Sequence, residues 1–236
     1  MTRLVFPVST RRAISLVLAL AASAAVAGHA RTSLAQAAPA AAPTVDQAVA
    51  NVQNFYNQST SFESDFQQQF TVKAYNQTKS SDGHVTFSKP GKMNWVYNNP
   101  AGNRVVSDGQ VIKVYEASNK QMYQQPFNAS QYPAALSFLT GQGNLSSSFN
   151  FTLWPGSQMN FPGGYVLEGV PVQPTPAYSK VLFYVDSATS QVRRVMIIDG
   201  QGNRNRFDFV NPKVNATVNA NAFSFTPPPG TSIIHP

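Results

Sequence analysis

The chain of 236 residues has 17 basic and 10 acidic residues, no cysteine, and only 11% charged residues against a typical ~25%. The missing cysteine excludes disulfides, thiolate metal sites, cysteine nucleophiles and a lipid anchor on an N-terminal cysteine. The formal charge of +7 overstates the basic character: Arg3, Arg11, Arg12 and Arg31 fall in a predicted export segment, and what remains has 13 basic against 10 acidic residues, or +3. Those charges are scattered and form no basic stripe, so no nucleic-acid partner is expected.

Residues 1–12 contain Arg3, Arg11 and Arg12 and no acid. Residues 13–27, AISLVLALAASAAVA, are small and apolar, and Ala35-Gln36-Ala37 has the small-x-small form of a cleavage site. This order predicts a signal peptide over 1–37. Its apolar run falls short of the roughly 20 residues that a spanning helix needs. Arg11-Arg12 loosely resembles a twin-arginine signal, but such pairs are common in ordinary signals, and the general export route is preferred. Residues 38–43 read as a flexible leader and 44–236 as a single domain. A soluble, unanchored protein of the periplasm is expected.

Thr44 and Gln47 have capping-box spacing. Val45, Ala48, Val49, Val52, Phe55 and Tyr56 then recur at helical spacing, which predicts a helix over 45–58. After Ser61 the period changes to two, with Phe62, Phe66, Phe70 and Val72 on one face and Glu63, Asp65, Gln67, Gln69 and Lys73 on the other. From there to Gln125 the pattern is strand, turn, strand. Asp82-Gly83 is read as the turn between 66–77 and 84–89, Pro90-Gly91 as that between 84–89 and 92–98. Asn99 to Gly102, Asp108-Gly109 and Ser118 to Lys120 divide the later strands, the last of which is 121–125. Residues 130–150 predict short helices near 133–140 and 144–149. Strands resume at 150–154, 164–171, 178–186, 191–199 and 204–211, followed by a helical turn at 216–222 and a last strand at 223–226. The sum predicts a mainly β (α+β) fold, an antiparallel meander of about 11 strands curling toward a barrel, with short helices over its concave side.

Catalytic patterns are weak. His29 lies in the export segment, and neither His84 nor His235 has a second histidine at metal-ligand spacing. There is no G-x-S-x-G and no phosphate-binding glycine loop. Glu63 and Asp65 could serve acid–base chemistry but alternate with phenylalanines as the wet face of a strand. Arg193-Arg194 and Arg204/Arg206 read as solvated hairpin charges, with Arg204 and Arg206 sharing parity with Asp208. No catalytic residue, metal ligand or cofactor is therefore expected. The apolar pattern is stronger. Phe62, Phe66 and Phe70, Val85 and Phe87, Met93, Trp95 and Tyr97, Ile112 and Val114, and Phe183 and Val185 can share one interior. By composition alone a filled core is the simpler reading. Met and Trp together suit an adaptable binding surface, and so many strands enclose more volume than one helix fills.

The segments TFSKPGKMNWVY, VVSDGQVIKVYEAS and FSFTPPPG, after an opening SFESDFQQQF, resemble the outer-membrane lipoprotein carrier protein (LolA) family in order and spacing from about residue 45 to 230. The resemblance implies an unclosed antiparallel β-barrel with a helical lid over an apolar cavity. It implies a monomeric carrier of acylated lipoproteins, loaded by an inner-membrane lipoprotein-releasing ABC transporter and unloaded to an outer-membrane receptor where one is present. Lys89 matches a basic residue before proline that is often arginine and is tied to lid opening. Met93 matches a position near the mouth that affects transfer, and Trp95 a cavity-lining tryptophan. Leu136 and Leu139, in the 133–140 segment, join the implied cavity lining. The absent cysteine favours carrier over the lipid-anchored receptor. A lipid- or lipoprotein-binding envelope sensor, an envelope hydrolase and a structural β-domain with a filled core stand as alternatives.

Overall fold

The computed structural model describes residues 42–127, 139 and 143–235. The signal peptide over 1–37, Leu136, and the 133–140 helix apart from Leu139 lie outside these residues.

The first helix, α1 (Val45–Gln58), starts where the sequence requires. Thr44 Oγ1 accepts the Gln47 N–H at 3.3 Å and Gln47 Oε1 accepts the Thr44 N–H at 3.0 Å. Two of the N–H groups at the helix start are thereby satisfied. The stripe buries Ala48, Val49, Val52 and Tyr56. A second, one-turn helix α2 (Leu145–Ser148) is capped by Asn144, whose side chain accepts the Ser147 N–H.

Twelve strands form one sheet: β1 (Ser61–Val72), β2 (Gln77–Ser88), β3 (Lys92–Asn99), β4 (Arg104–Asp108), β5 (Val111–Glu116), β6 (Gln121–Pro126), β7 (Phe149–Pro155), β8 (Gly164–Pro171), β9 (Lys180–Asp186), β10 (Val192–Ile198), β11 (Arg204–Val214) and β12 (Ser232–Ile234). Their order is β12-β6-β5-β4-β3-β2-β1-β11-β10-β9-β8-β7, so the two ends of the sheet do not pair and the barrel is unclosed. All neighbours are antiparallel except β12 and β6. The expected strand count near 11 is close to what forms, and the helix at 45–58 has the expected bounds.

Two local readings are corrected. Asp82-Gly83 is not a turn, because β2 runs unbroken through it and the chain reverses at Lys73–Asn76, with Asn76 left-handed. Gly83 is needed for close approach instead: a Cβ there would lie 2.0 Å from the Val96 carbonyl oxygen and 2.9 Å from the Phe66 ring. His84 accordingly sits within a strand rather than after a hairpin. Residues 223–226 form no strand. A 3-10 turn at Ala220–Phe223 is followed by extended chain, and the last strand is β12. Phe223 is spent on packing, being 6% exposed, and the three prolines that follow cannot donate to a ladder.

The concave face carries the main core. Cross-strand register sets its side chains in rows. One row runs Phe62, Phe87, Met93, Ser107, Ile112; the next runs Ser64, Val85, Trp95, Val105, Val114; the third runs Phe66, Gly83, Tyr97. Phe207 and Phe209 of β11, Phe183 and Val185 of β9 and Phe149 of β7 complete the cluster, and the buried face of α1 packs into it. On the convex face Asp208 is held by Arg194 (Nε–Oδ1 2.5 Å) and Arg206 (Nε–Oδ2 2.6 Å). The parity expectation thus holds for Arg206.

Candidate functional site

The rows of the concave face bring most of the predicted apolar residues together. Phe62, Phe66, Val85, Phe87, Met93, Trp95, Ile112 and Leu139 belong to one buried cluster, and Tyr97 and Val114 pack against it half-buried. Trp95 is central. Its ring lies 5.0 Å from Phe66, 5.7 Å from Phe87 and 5.4 Å from Phe207, each edge-to-face. Phe66 in turn meets Tyr97 at 5.2 Å. Such pairs contribute about 0.5–1.5 kcal/mol beyond area burial. They fix side chains that have few alternatives in a β-strand, and around Trp95 these rings pack against one another.

Phe70 departs from the expectation. Its parity is right, yet it is 37% exposed. It pairs with Lys79 on β2 and Asn205 on β11, and β3 pairs with β2 only from Asp82 onward. The strand therefore carries Phe70 past the end of the concave wall. The wall turns polar just before it, where Gln68 Nε2 donates to Asn205 Oδ1 at 2.9 Å.

Polar contacts tie down the helix over this face, and two of them use Tyr56. Its main-chain carbonyl, in the last turn of α1, accepts from Lys89 Nζ. That carbonyl also accepts the Ser59 N–H at 3.1 Å, and a cation at the C-terminal end of a helix is favoured. Its phenolic oxygen accepts the Val192 N–H at 3.2 Å. Tyr56 thus joins α1 to the β2–β3 corner and to β10. Burial pushes the Tyr56 phenol up and holds the Lys89 ammonium below the ordinary lysine range. Gln53 Oε1 accepts the Leu145 N–H at 2.8 Å and ties α1 to α2. Lys89 therefore touches a covering helix, α1.

Beside this contact lies a groove of about 640 Å3 between α1 and β7, with Val45, Val49, Phe149 and Phe151 as its apolar lining and Gln53, Asn54, Asn57, Asn144 and Asn150 around it. Sequence reasoning did not single out this groove, nor Phe207, Phe209, Phe149 and Phe151 as site residues. The alternation of Phe207 and Phe209 about Asp208 was a usable signal. The meeting of α1 with β7 is set by packing alone. A second groove, of about 510 Å3, lies along β1 and β2 and is lined largely by Asp65, Gln67, Gln69, Ser80, Asp82 and Asn98. His84 Nδ1 sits 2.9 Å from Asp65 Oδ1 at its exposed end. Among the described residues no three His, Asp or Glu converge as a metal site, and no helix is long and apolar enough to cross a membrane.

An unclosed β-barrel whose apolar concave face is roofed by a helix defines a class of proteins that hold hydrophobic ligands. The family model described as outer membrane lipoprotein carrier protein LolA matches residues 57–226, and the chain belongs to that family. An outer-membrane lipoprotein carrier protein from Chromobacterium violaceum is 25% identical over 203 residues, covering 86% of this chain and 95% of that protein. One from Cupriavidus pinatubonensis is 27% identical, covering 93% and 97%. The crystal structure of an uncharacterized conserved protein from Thermus thermophilus has the same fold, with a TM-score of 0.50, 12% identity and 82% of this chain covered by all of that one. A LolA superfamily protein from Nitrosomonas europaea gives a TM-score of 0.44 at 13% identity, covering 78% of this chain and 99% of that one.

Proposed function

We propose that this protein is a periplasmic carrier that takes up the acyl chains of lipoproteins released from the inner membrane and delivers them toward the outer membrane. The observation that carries the reading is the concave aromatic face under α1, a large apolar surface roofed by a helix. Phe62, Phe66, Val85, Phe87, Met93, Trp95, Tyr97, Ile112, Val114 and Leu139 are the proposed acyl contacts. Phe70 stands outside this set. Lys89 is the proposed lid contact, because releasing its hydrogen bond to Tyr56 frees the end of α1.

The energetics favour imperfect binding. Several acyl chains at about 0.8 kcal/mol per methylene represent tens of kcal/mol of gross transfer energy. Non-covalent affinity saturates near −18 to −21 kcal/mol. Here the rings around Trp95 already satisfy one another, so an acyl chain must part them before it gains contacts. That internal packing lowers net affinity and makes release feasible. Loading then draws on the ATP-driven releasing transporter, and unloading runs downhill into a more apolar receptor. No bond is made or broken, so no catalytic role is assigned.

The test is to combine the purified protein with an acylated lipoprotein and the releasing transporter in membranes. With ATP a soluble one-to-one complex is expected, and Trp95 emission should shift as its ring neighbours change. Absence of any soluble complex overturns the reading.

A further inference from the structure

Among the described residues β7 is an edge strand, with no strand paired on its outer side. Its register with β8 is unbroken from Phe149/Pro171 to Pro155/Tyr165. The Val172 N–H donates to the Ser148 carbonyl at 3.0 Å, which fixes which pairs exchange ladder bonds. By the alternation of antiparallel ladders these are 150/170, 152/168 and 154/166, and the N–H and C=O groups of Phe151 and Leu153 turn away from β8. The Phe149 N–H is already used to close α2 on Leu145. Among the described residues nothing pairs with the outward groups of Phe151 and Leu153.

Edge strands are ordinarily blunted by charge, by an internal proline, by a bulge or by brevity. The sequence of β7, FNFTLWP, has no charge, no proline before its last position and no bulge, and it is seven residues long. Next to it runs the groove between α1 and β7. Val49 and Phe149, on its wall, belong to the same buried cluster as Trp95. The groove thus shares wall residues with the apolar interior. Apart from Asp46 its lining is uncharged. A ligand matched to this surface has an apolar anchor that continues into an extended, neutral polypeptide.

We propose that the free edge of β7 receives the extended N-terminal peptide of a lipoprotein as an added strand, while the attached acyl chains enter the interior through the neighbouring groove. This rests on the carrier reading and adds a second recognition element to it. Main-chain bonds do not read side chains, so one edge serves many cargo sequences.

The test uses synthetic triacylated cysteinyl hexapeptides of Ser, Asn and Gly, singly N-methylated at successive positions, alongside the triacylated cysteine amide without a peptide. Calorimetry reads affinity, and hydrogen exchange reads the Phe151 and Leu153 amides. A strand predicts that methylation weakens binding about tenfold at alternate positions only, as main-chain bonds are lost with period two. It also predicts protection of the Phe151 and Leu153 amides by the unmethylated peptide and not by the cysteine amide. Equal affinity across the methylated series, or unprotected amides, overturns the added strand while leaving the carrier reading intact. A dimer paired through β7 that the lipopeptide does not dissociate, seen by sedimentation, also overturns it. Failure of every acylated probe to bind overturns both.

Discussion

At the β6 edge of the sheet the chain adds a strand to itself, whereas among the described residues the β7 edge receives none. Beyond β6 the C-terminal residues add β12, and the Ser232 N–H donates to the Lys120 carbonyl at 2.9 Å. Lys113 Nζ donates to the Phe225 carbonyl at 3.0 Å, and the Arg104 guanidinium lies 5.0 Å from the Phe225 ring. Tyr115 meets the same ring at 5.4 Å. Among the described residues α1 and α2 lie at one end of the β7 edge, and Trp154 near the other end is 37% exposed. A sheet of this size needs both edges managed. One edge is sealed by an added strand and, among the described residues, the other is not, which is the contrast on which the proposed docking at β7 rests.

Removing the seal is the largest way to break this contrast. A chain ending at Asn219 loses Phe223, Phe225 and β12 and uncovers Tyr115 and Met122. At about 1.5–3 kcal/mol per buried side chain, a stability loss of at least about 3 kcal/mol is expected in urea unfolding, with self-association through β6. An unchanged midpoint would show that the tail seals nothing. Tyr56→Phe, at the helix that flanks the open edge, leaves the Val192 N–H without its acceptor. The expected cost is about 1–3 kcal/mol, read the same way, together with faster exchange of the Val192 amide.

Lys89→Met gives a smaller, pH-dependent effect. Because burial lowers the Lys89 pKa, the native state releases that proton at lower pH than the unfolded chain does. Unfolded chains then bind more protons, and stability rises with pH between the folded value and the ordinary value of 10.5. The variant should lack this rise, and parallel slopes for both proteins over that window would refute the assignment. Thr152→Lys places a charge on an exposed position of β7. Stability should stay within about 0.5 kcal/mol, while lipopeptide affinity falls, so that the open edge becomes more like a guarded one. Unaltered affinity would weaken the contrast drawn here.

Much of this was legible in sequence. The capping box at Thr44 and the stripe ending at Tyr56 are local signals, and α1 follows them. Period-two alternation placed Phe62, Phe66, Trp95 and Ile112 on one face, and register needs only that alternation and short turns. Gly83 misled because a glycine after aspartate looks the same whether it permits a turn or a close approach; only the position of Val96 distinguishes them. Phe70 misled because parity gives the face of a strand but not where the neighbouring strand stops. The role of residues 223–226 depends on contacts with Arg104 and Tyr115, more than 100 residues away. The groove at β7 depends on where α1 comes to rest. Neither has a local signature.

The order of strands also bears on how the chain assembles. β1 to β6 form one meander and β7 to β11 another, each built from neighbours in sequence, and strand pairing joins the two at β1 and β11. The groups joined there are far apart along the chain, as Gln68 and Asn205 are by 137 residues. Local hairpins close within microseconds, while distant pairing carries the larger loss of chain entropy. The β1–β11 seam is therefore the slow joint of folding. During synthesis β1 emerges early and keeps one side unpaired until residues 204–214 appear, which makes Phe66 and its neighbours the stretch most in need of protection before the sheet is whole.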